Sequence, residues 1–156
     1  MPASEPPRPS SSPPPGRELA LFQAGELVCG LEINCVQEIQ RQTAITAVPR
    51  APDYVRGVIN LRGVIVTVID LRRKFALEPR PQDMVGQIVI IRQGEESVGL
   101  LADAVSDVVA ADENDIEAPP LNLDGVAGRY FKGIYKQEQM LVAILNVEEL
   151  LAVNNE

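Results

Sequence analysis

The chain has 156 residues and is 46% hydrophobic, which suffices for the core of one domain or of two small barrels packed together. Its 14 basic and 22 acidic residues give a net charge of -8, and no local basic patch offsets it, so nucleic acid and anionic lipid are disfavoured as partners. No apolar run approaches the roughly 18 residues of a membrane span, and no signal peptide opens the chain, so we expect a cytoplasmic protein without membrane insertion.

Residues 1–17 form a Pro- and Ser-rich leader that holds seven of the thirteen prolines. A segment with so few apolar side chains cannot bury enough surface to fold alone, and we predict that it is disordered. The alternative is a polyproline II ligand for an aromatic groove. The folded part is expected to span residues 18–156.

Most of the folded part is predicted to be β-strand. The segment ELALFQAGELVCGLEI indicates two strands joined at Ala24-Gly25, and GVINLRGVIVTVIDL indicates a hairpin that turns at Leu61-Arg62-Gly63. Both faces of the second arm of this hairpin are largely apolar, so it is either buried on two sides or exposes one face as an interface. Further strands are predicted in QIVIIRQG, ESVGLLADAV and QMLVAILN.

Helical signals are short. We predict helices from Asn34 to Gln40, from Leu71 to Phe75 and from Val147 to Val153, the last beginning after Asn146 as its N-cap. The fold class is therefore all-β with short helices, one of them at the C-terminus.

The sequence also contains a candidate internal repeat. GLEINCVQEI from Gly30 aligns with GLLADAVSDV from Gly99, and GVINLRGVIVTVIDL from Gly57 aligns with GIYKQEQMLVAILNV from Gly133. The offsets of 69 and 76 residues differ by the length of a loop. Chance similarity between short apolar strands is the alternative, but the repeat favours two small β-barrels packed together with a groove between them.

The residue types required for common catalytic and metal sites are missing. There is no histidine, no glycine-rich phosphate loop and no EF-hand pattern, so we expect no catalytic residues, no cofactor and no metal site. The acidic stretch from Asp112 to Glu117 lacks the spacing of a calcium loop and is interpreted as solvated. Cys29 and Cys35 have no adjacent Lys or Arg to lower a thiol pKa, so buried structural thiols are favoured over redox sensors.

Two charged residues lie where a core does not need them. Glu38 falls on the first predicted short helix, and Arg62 lies at the tip of a hairpin with strongly apolar flanks. Solvated surface charges are one interpretation. Charges around an apolar patch are also typical of a protein interface.

Three segments carry a family resemblance: VQEI at Val36, RGVINLRGVIVTVIDLRRKF from Arg56, and VGLLADAVSDVV from Val98. Together they resemble the CheW family, the coupling proteins of bacterial chemotaxis, over about residues 18–151. The chain departs from the family pattern at Thr67, where a proline is frequent. The resemblance implies two intertwined five-stranded barrels similar to SH3 domains. It also implies a non-enzymatic adaptor that joins the kinase CheA to the cytoplasmic tips of chemoreceptors, in arrays at the inner membrane. A scaffold for a different chemosensory-type pathway, such as surface motility or second-messenger control, is the alternative.

The resemblance further implies two sets of binding residues. The set that would meet the regulatory domain of the kinase is Val36, Glu38, Ile39, Arg56, Gly57 and Arg62. The set implied for receptor binding is Val98, Gly99, Val105 and Val108.

Overall fold

The computed structural model describes residues 17–81, 83–123 and 125–152. Residues 1–16 of the predicted leader lie outside this range, as does the predicted end of the last helix at Val153. Arg17, which was assigned to the leader, is the first residue of the first strand. None of the helices in the described ranges is long and apolar enough to cross a membrane.

Strands dominate the described part of the chain. They are β1 (Arg17–Ala24), β2 (Leu27–Glu32), β3 (Val36–Arg41), β4 (Val55–Leu61), β5 (Val64–Asp70), β6 (Gln87–Gln93), β7 (Glu96–Ala102), β8 (Ala104–Ala111), β9 (Ile116–Glu117), β10 (Asn122–Leu123), β11 (Val126–Ala127), β12 (Phe131–Gln137) and β13 (Met140–Leu145). The helices are α1 (Leu71–Lys74), α2 (Val147–Leu151) and 3-10 turns at Ile33–Cys35, Glu113–Asp115 and Gly128–Tyr130.

The strands form two main sheets. One has the order β3-β6-β7-β5-β4, and the other has the order β8-β1-β2-β13-β12-β9. A separate pair, β10-β11, lies in the loop before β12. The predicted all-β class with two small SH3-like units and short helices is confirmed. The second sheet has six strands rather than five because the two-residue β9 extends its edge.

The repeat seen in the sequence corresponds to equivalent strand pairings. In one sheet Gly30 of β2 pairs in parallel with Ile144 of β13, and in the other Gly99 of β7 pairs in parallel with Val68 of β5. These are the positions that the offsets of 69 and 76 residues relate. The two sheets therefore share one strand arrangement, with β1, β2, β8, β13 and β12 matching β6, β7, β3, β5 and β4.

The two repeats exchange a strand. The third strand of the first repeat, β3, pairs with β6 of the second, while the third strand of the second repeat, β8, pairs with β1 of the first. Each sheet therefore contains strands from both repeats. Since neither sheet is complete without the other repeat, the two sheets form one interlocked folding unit.

The helix predicted from Asn34 to Gln40 is wrong. Only Ile33–Cys35 forms a 3-10 turn, and Val36–Arg41 is strand β3 with alternating half-buried and exposed side chains. The other helix predictions are confirmed: α1 covers most of the second, and α2 begins after Asn146, whose side chain accepts a hydrogen bond from the Glu149 N–H at 3.2 Å. The strand wins over the helix at β3 because β6 offers a backbone partner along its whole length.

The largest apolar cluster lies between the sheets and draws on both repeats. It contains Phe22, Leu31 and Leu71 from the first repeat and Leu100 and Leu145 from the second. A smaller cluster fills the concave face of each sheet. Burial of these side chains, at about 1.5–3 kcal/mol each for a Leu or Phe, is the main favourable contribution to folding.

Candidate protein-interaction surface

The tip of the β4–β5 hairpin is a tight turn that fixes Arg62 in place. Arg62 has a φ of 52° and Gly63 a φ of 88°. Two successive residues with positive φ form the type of turn whose twist matches that of the flanking strands. The Asn60 side chain accepts a hydrogen bond from the Gly63 N–H at 2.8 Å, which holds the turn. Arg62 is thus presented on a rigid backbone.

Glu38 of β3 pairs with Arg62 across the open side of the five-stranded sheet. Both guanidinium nitrogens of Arg62 donate to the Glu38 carboxylate, one of them over 3.5 Å and the other in a shorter contact. The hydrogen bond and the charge of Glu38 raise the pKa of Arg62 above its ordinary value. The Arg62 side chain remains 68% exposed, so a partner protein could still reach it. The two charged residues that the sequence singled out are therefore neighbours.

The apolar residues beside this ion pair are exposed. Val64 is 59% and Ile65 62% exposed, whereas Val66 and Val68 further along the same strand are fully buried. The strand that reads as apolar on both faces is thus buried on one face along its length and open on the other at its tip. Large apolar side chains exposed next to a charged rim are typical of a protein-binding surface.

A groove of about 600 Å³ runs from this tip toward the β6–β7 turn. Its lining residues come from β3, the β4–β5 hairpin and the ends of β6 and β7, and they are Gln37, Leu61, Arg62, Val64, Ile65, Val66, Thr67, Arg92, Glu95, Glu96, Ser97 and Val98. A hydrogen bond of 2.8 Å from the Ser97 hydroxyl to the Gln37 side chain joins its walls. We call this the hairpin groove.

Gly57 lies where the edges of the five-stranded sheet approach each other. Thr46, beyond β3, and Val58 of β4 exchange two backbone hydrogen bonds of 2.9 and 2.8 Å. Gly57 has a φ of 147°, and a Cβ atom there would lie 2.1 Å from the Thr46 carbonyl oxygen. A glycine is required for this contact, so the structural need for Gly57 is independent of any partner.

The other residues of the predicted kinase-binding set lie on either side of this closure. Arg56 is half-exposed and its Nη1 donates to Asp70 Oδ2 at 3.3 Å. Val36 is half-buried and packs against the main core, while Ile39 is 38% exposed on the outer side of β3. Ile39, Glu38 and Arg62 are thus accessible, and Val36 and Gly57 contribute mainly from within.

The predicted receptor-binding set is divided between the two sheets. Val98 lines the hairpin groove and Gly99 is buried in β7, where a Cβ would lie 2.8 Å from Ile88 Cγ2. Val105 and Val108 are on β8 in the other sheet. Val105 packs against the core, whereas Val108 is 56% exposed. The structure does not bring these four residues into one patch.

The residues that the sequence analysis did not select are the exposed apolar ones. Val64 and Ile65 were recognised only as members of an apolar strand, and Arg92 on the far wall of the groove was not noticed. The available signal was the position of Val64 and Ile65 immediately after a turn, where one face of a strand extends past the sheet.

The titratable groups of the described residues offer little reactivity. Burial raises the thiol pKa of Cys29, with a smaller effect from Asp103. Burial and then Glu32 raise that of Cys35, partly opposed by Lys132. Both thiols are free and protonated, and protonated thiols are weak nucleophiles. Within the described ranges no group of three or more Cys, Asp or Glu side chains is arranged to hold a metal ion.

Comparisons with known proteins identify relatives over nearly the whole chain. A family model described as a CheW-like domain matches residues 18–154. The chemotaxis protein CheW of Klebsiella aerogenes is 34% identical over 137 residues, which cover 88% of this chain and 82% of that protein. Protein FrzA of Myxococcus xanthus is 30% identical over 144 residues, covering 88% and 86%. The crystal structure of the scaffolding protein TtCheW from Thermoanaerobacter tengcongensis superposes with a TM-score of 0.85 at 32% identity, covering 96% of each chain.

Proposed function

This chain belongs to the CheW-like family of scaffold proteins, and we propose that it is a non-enzymatic adaptor that couples chemoreceptors to the histidine kinase CheA in bacterial chemotaxis. The observation that carries the proposal is the hairpin tip, where exposed Val64 and Ile65 lie beside the rigidly held Arg62–Glu38 pair. An apolar centre with a charged rim suits stoichiometric binding to another protein and offers no group for turnover.

The kinase regulatory domain is the partner we assign to the hairpin tip. Glu38, Ile39 and Arg62 would contact it directly, with Val64 and Ile65 providing the apolar centre. Arg56 would reach it from the adjacent edge, while Val36 and Gly57 would maintain the shape of the surface. Charges around such a centre set orientation and partner choice more than affinity.

The receptor tip is the second partner we assign. Val108 on β8 is the accessible member of the predicted set, and Val98 borders the hairpin groove. Val105 and Gly99 would support these two from beneath. Binding on two different sheets would let one molecule bridge kinase and receptor in cytoplasmic arrays at the inner membrane.

The experiment is a calorimetric titration of this protein against the CheA regulatory domain, alone and with receptor fragments. We expect saturable one-to-one binding to each partner and a ternary assembly that sediments together. An Ile65→Asp variant should fold normally and lose kinase binding, while Leu121→Asp, at a 96% exposed apolar side chain in another loop, should bind as the wild type does. Wild-type affinity in Ile65→Asp would overturn the assignment of the hairpin tip.

A scaffold for a different chemosensory-type pathway is the second candidate. The similarity to FrzA, a relative that does not carry the CheW name, favours keeping it. The same titration separates the two candidates, since a pathway-specific scaffold would bind its own kinase at least tenfold more tightly than the chemotaxis kinase.

A further inference from the structure

A polar pocket of about 350 Å³ lies on the side of the five-stranded sheet away from the hairpin groove, between β4, α1 and the loop before β6. Its charged lining residues are Asp53, Arg56, Asp70, Arg73 and Arg80. Three guanidinium groups and two carboxylates leave one positive charge in excess. This is a local reversal in a protein whose net charge is -8.

Arg80 is the most deeply placed of these cations. Its side chain is only 5% exposed, and its Nε and Nη2 donate to Asp103 Oδ1 at 3.3 and 3.0 Å. The third nitrogen, Nη1, is buried and has no hydrogen-bond acceptor among the described residues. The nearest carboxylate oxygen, Asp70 Oδ2, is 3.9 Å away, which is too long for a hydrogen bond.

The carboxylates near Arg80 are already committed to other donors. Asp103 accepts from Arg72 Nη2 at 2.7 Å and from the Gly25 N–H at 2.8 Å, in addition to Arg80. Asp70 accepts from the Arg72 backbone N–H and from Arg56. A buried guanidinium N–H without an acceptor is costly, and an anion in the pocket would supply that acceptor.

From this geometry we propose that the pocket binds a small oxyanion, a carboxylate or a phosphate group, held by Arg80 Nη1 with Arg56 and Arg73 at the entrance. Arginine pairs well with such groups because its planar N–H donors match their oxygens. The site lies apart from the hairpin groove, so its existence does not depend on the adaptor function proposed above. The same chemistry serves a free anion and an acidic group carried by a partner.

The test is an NMR titration of the full chain with phosphate and, separately, acetate, with chloride adjusted to keep the ionic strength constant. We expect saturable shifts at the pocket residues and a rise in melting temperature of about 3–6 °C at ten times the dissociation constant. Arg56→Gln and Arg80→Gln should each weaken binding at least fivefold. Arg92→Gln, an exposed arginine in the hairpin groove, should bind as the wild type does.

Shifts that fail to saturate, or that persist unchanged in Arg56→Gln, would overturn the proposal, and this outcome can be read even if Arg80→Gln does not fold. Once binding is established, titration with the kinase regulatory domain and with receptor fragments at saturating phosphate identifies the source. Competition indicates an acidic group on the competing partner, and its absence indicates a free anion.

Discussion

Tyr54 and Tyr130 occupy equivalent positions in the two repeats, 76 residues apart. The Tyr54 carbonyl accepts the Asp70 N–H and the Tyr130 carbonyl accepts the Asn146 N–H, both at 2.8 Å. Asp70 and Asn146 in turn cap α1 and α2. The Lys74 ammonium lies 3.8 Å from the Tyr54 ring centroid and 5.7 Å from that of Tyr130, so one cation from the first repeat contacts both tyrosines. The repeat therefore extends beyond the strands into the helix caps.

The alternation along β5 provides the first prediction. Val66 and Val68 are fully buried and Ile65 is 62% exposed on the same strand. Val66→Asp or Val68→Asp should lower the free energy of unfolding by more than about 3 kcal/mol, because an unpaired carboxylate would enter the core. Ile65→Asp should change it by less than about 1 kcal/mol. Urea denaturation measures all three, and a stable Val66→Asp variant would contradict the core assignment.

The second prediction separates structure from binding at Gly57. Gly57→Ala should cost at least about 2 kcal/mol of stability, because the new methyl group would collide with the Thr46 carbonyl at an unfavourable φ. Gly94→Ala is the matched control: its φ is also positive, but no atom lies within 4 Å of its added carbon, so the cost should be about 1 kcal/mol. Equal stabilities in thermal unfolding would show that the closure at Thr46 does not require glycine.

The sequence predicted what local patterns control. Val-rich runs, the turns at Gly25 and Gly63 and the cap at Asn146 all have short-range causes, and the structure contains each of them. The repeat was visible because both copies keep the glycine that lets neighbouring strands approach, Gly30 and Gly99.

What the sequence could not predict depends on distant partners. Val36 and Ile39 have helical spacing, yet the segment is a strand because β6, about fifty residues later, pairs with it. The exchange of β3 and β8 is likewise invisible, since nothing local says which repeat a strand joins. The pairing of Glu38 with Arg62 follows from the same long-range closure, and so does the meeting of Arg80 with Asp103.

The third prediction concerns acid stability at Asp103. Burial alone would raise the pKa of this carboxyl, but hydrogen bonds from Arg72, the Gly25 N–H and Arg80 outweigh it and hold the pKa below its ordinary value of 3.8. A carboxyl whose pKa is lower in the folded than in the unfolded state stabilises the fold fully above its unfolded pKa. That contribution is lost as pH falls through the folded pKa.

Asp103→Asn should therefore be about 2–4 kcal/mol less stable than the wild type at pH 7, since two arginines lose their shared carboxylate. The difference should shrink as the pH falls below about 4. Urea denaturation of both proteins between pH 2 and 7 measures it. A difference that stays constant across this range would show that the charge of Asp103 does not stabilise the fold.

The last prediction concerns the Arg62–Glu38 pair. Because Arg62 is 68% exposed, Arg62→Glu and Glu38→Arg should each shift the melting temperature by no more than a few degrees. Each should nevertheless weaken binding to the kinase regulatory domain at least about tenfold, because a charge on a rigid turn is placed to meet a partner group at the interface. Lys136→Glu and Glu148→Arg, at exposed sites on β12 and α2, change the net charge equally and should bind normally.

The exchanged double variant, Arg62→Glu with Glu38→Arg, distinguishes two ways in which the pair could act. It keeps an ion pair across the sheet opening, so a partner that needs only the closed shape would bind it as the wild type. We expect binding to stay weak instead, because each side chain keeps enough exposed surface to meet the partner with its own charge. Calorimetric titration of the four proteins gives the coupling energy directly. Restored affinity in the double variant would mean that the partner recognises the shape of the hairpin tip and not its charges.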